Sequence, residues 1–304
     1  MKVATKLPVW LIESVQDFDR YLNEQLERLQ TRKIDFYLLH GLNAQRWSQL
    51  QALGVLRWAE DKIAKGKFEH LGFSFHDNYE TFKEIVDAYD NWALAQIQYN
   101  YMDVDYQAGQ RGLEYAAGKG LAVVVMEPLR GGRLAQEPPE PVARVWGTAP
   151  QKRTLAEWGL LWVWNRPEVS VALSGMSTMG QVKENVATAD NSEPNNLTTD
   201  ELSLIERVRE AYNRLSPVPC TSCGYCMPCP NGVEIPRILQ MYNEAIMYDD
   251  PQIAQSRYQN PDILKEEQRA DQCIECDECL EACPQKILIP EWLKKAHELL
   301  KPKQ

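Results

Sequence analysis

Six short apolar runs, each followed by an amphipathic segment of helical spacing, recur across the first 212 residues. The runs are 2–6, 34–40, 70–76, 93–98, 121–126 and 168–174. The segments between and after them predict helices over 15–31, 47–65, 80–89, 107–119, 152–164 and 180–190, with a longer Pro- and Gly-containing loop reaching to about residue 150. Thr198 to Glu201 read as the N-cap of one more helix. IDFYLLH (34–40) is almost wholly apolar, the pattern of a strand buried on both faces. Strict alternation of buried strands and helices implies a parallel sheet, either doubly wound or closed as a (β/α)8 barrel. No GxGxxG turn follows the first strand, which weakens the open dinucleotide-binding sheet, and six units are two short of a barrel.

The length of 304 residues allows one large domain and a small appended one. The expected division is 1–212, a linker over 213–219, and 220–304. A net charge of −10 with no Lys/Arg run speaks against nucleic acid as a partner. The opening MKVATKLPVW has no basic segment followed by a long apolar stretch, and no run reaches membrane-spanning length. The expectation is a cytoplasmic protein with no membrane partner.

All eight cysteines lie after residue 219. They form CTSCGYCMPCP (220–230) and CIECDECLEACP (273–284), each with three thiols at three-residue spacing and a fourth followed by proline. Three such thiolates fit three corners of a cubane iron-sulfur cluster, and in two-cluster ferredoxins the fourth cysteine of each run ligates the other cluster. The expected sets are Cys220, Cys223, Cys226 and Cys283 for one [4Fe-4S] cluster, and Cys273, Cys276, Cys279 and Cys229 for the other. Structural zinc takes two separated pairs of ligands and leaves the third and fourth cysteines without a role, while disulfides belong to oxidising compartments. The first run has two residues before its last cysteine where the usual spacing has three, which loosens the crossed pairing but not the ligand list. Glu275, Asp277, Glu278 and Glu281 around the second run either steer a basic partner or form a solvated helix face.

Polar residues close the apolar runs: Lys6, His40, Ser74 with His76, Gln98 with Asn100, Glu127 and Ser174. Barrel enzymes place their chemistry at such strand ends, and Lys with His can serve proton transfer at a carbonyl. ATKLP (4–8), LNEQLERLQ (22–30), DFYLLHGLN (35–43), GFS (72–74), QIQYN (96–100), MEPLRGGRL (126–134) and SGMST with QVKENV (174–186) occur in this order. Together with the cysteine runs they resemble the aldo/keto reductases that carry a C-terminal ferredoxin-type extension.

The resemblance implies a (β/α)8 TIM barrel lacking its first two βα units, followed by a small, mostly helical two-cluster ferredoxin-like domain. Of the family's Asp, Tyr, Lys and His tetrad it assigns the lysine to Lys6 and the histidine to His40. The Asp and Tyr fall on a segment before the third strand, so the expected chain is N-terminally shortened. Ser74 and Gln96 match positions that hold a nicotinamide carboxamide, and Met126 the place of a stacking side chain. Leu129, Gly131, Arg133, Gly175 and Ser177 match pyrophosphate and ribose contacts, with Gln181, Glu184 and Asn185 toward adenine. Phe75 stands where many members have Asn, and Gly175 and Gln181 stand where NADPH-preferring members have basic residues.

The implied function is an oxidoreductase that moves hydride between NAD(P)H and a small carbonyl or alcohol, with clusters passing single electrons to a redox partner protein. Because hydride carries two electrons, direct exchange with the clusters calls for a flavin or another splitter, for which no motif is present. The alternative is a non-catalytic barrel scaffold whose clusters act as electron carrier or structural staple.

Overall fold

The computed structural model describes residues 2–220, 222 and 224–302. In chain order its elements are β1 (Ala4–Leu7), α1 (Val15–Arg28), β2 (Ile34–Leu42), α2 (Ala44–Ala52), α3 (Val55–Ala64), β3 (Phe68–Phe75) and α4 (Tyr79–Asp87). There follow β4 (Leu94–Gln98), α5 (Gly109–Gly118), β5 (Ala122–Met126), α6 (Glu140–Trp146), α7 (Leu155–Trp164), β6 (Val169–Ala172), α8 (Met179–Asp190) and α9 (Thr199–Arg214). The remainder is helical: α10 (Ile235–Met247), α11 (Gln252–Gln259), α12 (Glu278–Ala282) and α13 (Ile289–Leu300). The chain divides into one unit of residues 1–136 with 151–202 and a second of 137–150 with 203–304.

In the first unit all six strands are parallel and lie in the order of the sequence. A doubly wound sheet reverses its strand order at a switch point, whereas consecutive order is that of a barrel wall. The first unit is thus α/β, with six parallel strands in consecutive order, consistent with part of a (β/α) barrel. Its register draws two parallel rows. Leu7, Leu39, Phe73, Ala95 and Val123 are paired in turn across five strands, and all are buried in one apolar cluster with the helices. The neighbouring row is Lys6, Leu38, Gly72, Leu94 and Ala122. Because successive side chains alternate faces, this row and the next, Ser74 with Gln96 and Val124, belong to the opposite face.

The helices close the apolar face by their spacing. Ser14 and Asp17 form a capping box that starts α1, whose Phe18, Leu22 and Leu26 are buried. Gly72 is demanded by close approach, since a Cβ there would lie 2.8 Å from Leu94 Cγ and 2.9 Å from its carbonyl oxygen. The helix expected over 47–65 is two, because Gly54 adopts φ 74° between α2 and α3. The loop expected to reach residue 150 contains α6, with a proline in its first turn and Glu140 four residues before Arg144.

The second unit is built on α10 and α13. Ile235, Ile238 and Leu239 share a buried cluster with Ile289, Leu293, Ala296 and Leu300. The Tyr258 hydroxyl accepts from the Ala270 N–H at 2.9 Å and lies 2.9 Å from His297 Nδ1. Asn243 holds the Val218 backbone through both its amide N–H and its carbonyl. Cys283 is part of this cluster, and five further cysteines pack against it.

Candidate cofactor sites

The polar face of the sheet ends in a cluster of basic groups. Lys6 and His40 are half-buried on β1 and β2, and Ser74 is fully buried on β3, where its Oγ accepts from the Gly41 N–H at 2.7 Å. Gln96 is 4% exposed on β4, Cα-paired with Ser74, and Met126 is half-buried opposite Gln98. Arg46 donates to the Gly41 carbonyl at 2.7 Å and lies over the Trp10 ring, which meets His40 edge-on at 4.9 Å. Burial lowers the His40 pKa to about 4, helped by the positive charges of Lys6, His76 and Arg46. Burial also lowers that of Lys6. His40 is therefore a neutral imidazole near pH 7, able to donate a hydrogen bond without carrying charge.

Next to this cluster, Asn100 fixes the turn after β4. Its amide nitrogen donates to Asp103 at 2.8 Å and to the Glu127 carbonyl at 3.0 Å. Glu127, Arg130, Gly131 and Gly132 all take positive φ, so the segment after β5 curls tightly.

That segment forms one wall of a cleft of about 670 Å³, a size suited to a small molecule. Leu129, Gly131, Gly175, Ser177, Gln181, Glu184 and Asn185, all expected from the sequence, line it together. Arg133 does not line it and is 5% exposed. Lys6, His40, Ser74, Gln96 and Met126 stand outside the lining, though Glu127, the residue after Met126, belongs to it.

Two helices begin at the cleft. Thr178 and Gln181 form a capping box at α8, where the side-chain Oε1 of Gln181 accepts from the Ser177 N–H at 2.8 Å and the Thr178 N–H at 3.1 Å. Thr154 caps α7, accepting from the Glu157 N–H at 3.1 Å, and its hydroxyl donates to Glu184. Asn185 donates to Ser174 Oγ at 3.0 Å. Thr154 is a lining residue absent from the sequence-derived set, whereas Glu127 is one of the strand-end residues and Gly132 lies within the matched loop 129–133. The N-cap pattern Thr154-Leu-Ala-Glu157 was the signal that could have found it.

The thiols of the second unit gather around two cavities. One, of about 180 Å³, is lined by Cys226, Cys229, Cys273, Cys276 and Cys279, with Cys276 exposed. The smaller is lined by Cys220, Cys226 and Cys283 among apolar side chains such as Leu239, Ile287 and Ile289. Cys223 lies outside the described residues. Each run folds with the same backbone signature: the residues two and four after its first cysteine, Ser222 and Gly224 or Glu275 and Asp277, all have positive φ. Alternation of this kind turns successive N–H groups inward as a nest, the concavity that surrounds many iron-sulfur clusters.

No three described Cys, His, Asp or Glu side chains converge on a single-ion site. Three thiols at three-residue spacing with a fourth before proline, repeated in both runs, suit the corners of a cubane better than the two separated ligand pairs of zinc. Burial, then the neighbouring thiols, pushes the Cys279 pKa up to about 11. A cationic iron core would relieve that crowding of like charge.

Comparison with known proteins gives two family matches. Residues 1–210 match the model of the aldo/keto reductase family, and residues 219–288 match that of a 4Fe-4S dicluster domain. Among solved structures the chain resembles the holo form of an aldo-keto reductase from Bacillus halodurans, at 24% identity and a TM-score of 0.56 over 68% of this chain and 72% of that one. A thermostable aldo-keto reductase in complex with epalrestat aligns at 21% identity and a TM-score of 0.55, over 68% and 71%. One from Klebsiella pneumoniae in complex with NADPH aligns at 22% and 0.51, over 68% and 69%. No curated protein sequence matches.

Proposed function

We propose, on the premise that this chain belongs to the aldo/keto reductase family and carries a C-terminal 4Fe-4S dicluster domain, that it is an oxidoreductase joining nicotinamide-dependent carbonyl chemistry to iron-sulfur electron transfer. The observation that carries the reading is a seven-residue set gathered in a single cleft after β5 and β6, with Lys6 and His40 on β1 and β2 of the same parallel sheet.

A nicotinamide nucleotide bound in the cleft would supply hydride to a carbonyl carbon. Gly131 and Gly175 leave backbone free to approach its pyrophosphate, and Gln181, Glu184 and Asn185 line the α8 end for adenine. Ser74 and Gln96 would hold the carboxamide and Met126 would pack on the ring, its thioether adapting to that face. The neutral His40 imidazole would hydrogen-bond the carbonyl oxygen, and the half-buried Lys6 ammonium, its pKa lowered by burial, would give the resulting alkoxide its proton and regain one from solvent.

In the second unit, Cys229, Cys273, Cys276 and Cys279 would ligate one cluster, and Cys220, Cys226 and Cys283, with Cys223 by sequence, the other. The cavities support this crossed grouping, because Cys229 sits with the second run and Cys283 with the first. The clusters would supply one-electron transfer, and a redox partner protein would receive or deliver it.

Anaerobically reconstituted protein should contain about eight iron and eight sulfide per chain, with electron paramagnetic resonance signals of reduced [4Fe-4S] centres. About half that content would remove one cluster. Saturable binding of NADH or NADPH together with carbonyl-dependent oxidation supports the enzyme. Cluster signals without nucleotide binding would leave an electron carrier on a barrel scaffold.

A further inference from the structure

Four basic side chains, Lys6, His40, Arg46 and His76, stand near the C-terminal ends of β1, β2 and β3, and the charges of the other three act on His40. In a chain of net charge −10, no carboxylate among the described residues forms an ion pair with Lys6, His40 or Arg46. The Asp77 carboxylate, on the loop after β3, is taken by the Ala44 and Asn78 N–H groups at 2.8 Å each, and the Glu127 charge is felt at His76.

Arg46 is nonetheless fixed in place. Its Nη1 donates to the Gly41 carbonyl at 2.7 Å, and Gly41, at φ 66°, is tied to β3 by its own N–H on Ser74 Oγ. The guanidinium carbon lies 5.7 Å from the centroid of the Trp10 ring, and Trp10, 51% exposed, meets His40 edge-on. Trp10 thus forms an apolar wall running from the imidazole to the guanidinium. Tethering Gly41 uses one of the five donors of Arg46, and the others have no protein acceptor among the described residues. A half-buried guanidinium held on one nitrogen, with the rest of its fork open, can grip a carboxylate through two parallel hydrogen bonds.

We propose that this end of the sheet takes a carbonyl compound that also carries a carboxylate, with the carbonyl at Lys6 and His40, the body against Trp10 and the carboxylate on Arg46. The proposal rests on Lys6 and His40 being the carbonyl site. Among the described residues the charged groups lining the neighbouring cleft are the carboxylates Glu127 and Glu184, so an anionic substrate is drawn to the basic group and away from the cleft.

The test uses 4-acetylbenzoate and its methyl ester, which share a ketone and a ring and differ in charge. Each is titrated by calorimetry into the full chain at low and at physiological ionic strength, with NAD+ or NADP+ present, neither of which has a hydride to give. The pair is then repeated with Arg46→Gln and Arg46→Lys. The acid should bind about tenfold or more tightly than the ester, and the margin should shrink as salt rises. Arg46→Gln should erase the margin by weakening the acid, while Arg46→Lys should keep part of it, because the charge stays and the fork is lost. Equal affinity of acid and ester in the wild type overturns the proposal, as does failure of both to bind. A margin that survives Arg46→Gln overturns the role of Arg46. Acid-selective binding without NADH- or NADPH-dependent reduction of the ketone keeps the anion site and sinks the reductase reading instead.

Discussion

In the first unit the groups that matter are placed by strand register, while in the second they are placed by thiols on short, irregular segments. Lys6, Ser74, Gln96 and Met126 hold their positions because paired rows of buried residues on the opposite face fix the strands. The thiol segments have no such frame. Among the described residues their one helix, α12, spans five residues, and the cysteines themselves form part of what packs on α10 and α13. A site set by register persists without its ligand. One built around thiols depends on what the thiols hold.

The largest effect that could break this contrast is iron removal. Chelating the iron from anaerobic protein should expose residues 203–302 to limited proteolysis while the first unit's strands stay protected. Equal protection of both would mean that the second unit's apolar cluster suffices alone. The converse perturbation is Gly72→Ala, which drives a methyl into Leu94. It should lower the first unit's stability by about 1–3 kcal/mol and leave the cluster signals unchanged, as read by denaturant unfolding and electron paramagnetic resonance.

Smaller changes sharpen the same contrast within the first unit. Thr154→Ala removes the α7 N-cap and should cost about 1 kcal/mol in the same denaturation experiment. His40 should titrate near 4 when followed by NMR. The unfolded chain accepts a proton near pH 6.5 that the folded chain refuses until about 4, so His40 withdraws stability as pH falls through that window. A His40 midpoint at 6.5 would place it outside the basic cluster.

What could be read from the sequence follows the same division. Lys6, His40, Ser74 and Gln96 stand in or at the end of apolar runs, so the period of the strands locates them without any tertiary knowledge. The loop after β5 lines the cleft by curling through residues of positive φ, a path that no local pattern announces, and the N-cap pattern at Thr154 marks a helix start without saying that it faces the cleft. Gly54 carried a readable stop between α2 and α3, while α6 was hidden by the prolines around it. The thiol spacing within each run was legible. The crossed sharing of the fourth cysteines was expected from the two-cluster pattern, while the contact across some fifty residues that puts Cys229 in one cavity with Cys273 and Cys283 in another with Cys220 comes from the fold.

The most direct measurement is an NADH titration of the full chain before and after complete removal of iron. Every residue lining the cleft belongs to the first unit, so the account predicts one saturable site with the same affinity in both states. Binding that disappears with the iron, or is absent from both, would contradict it.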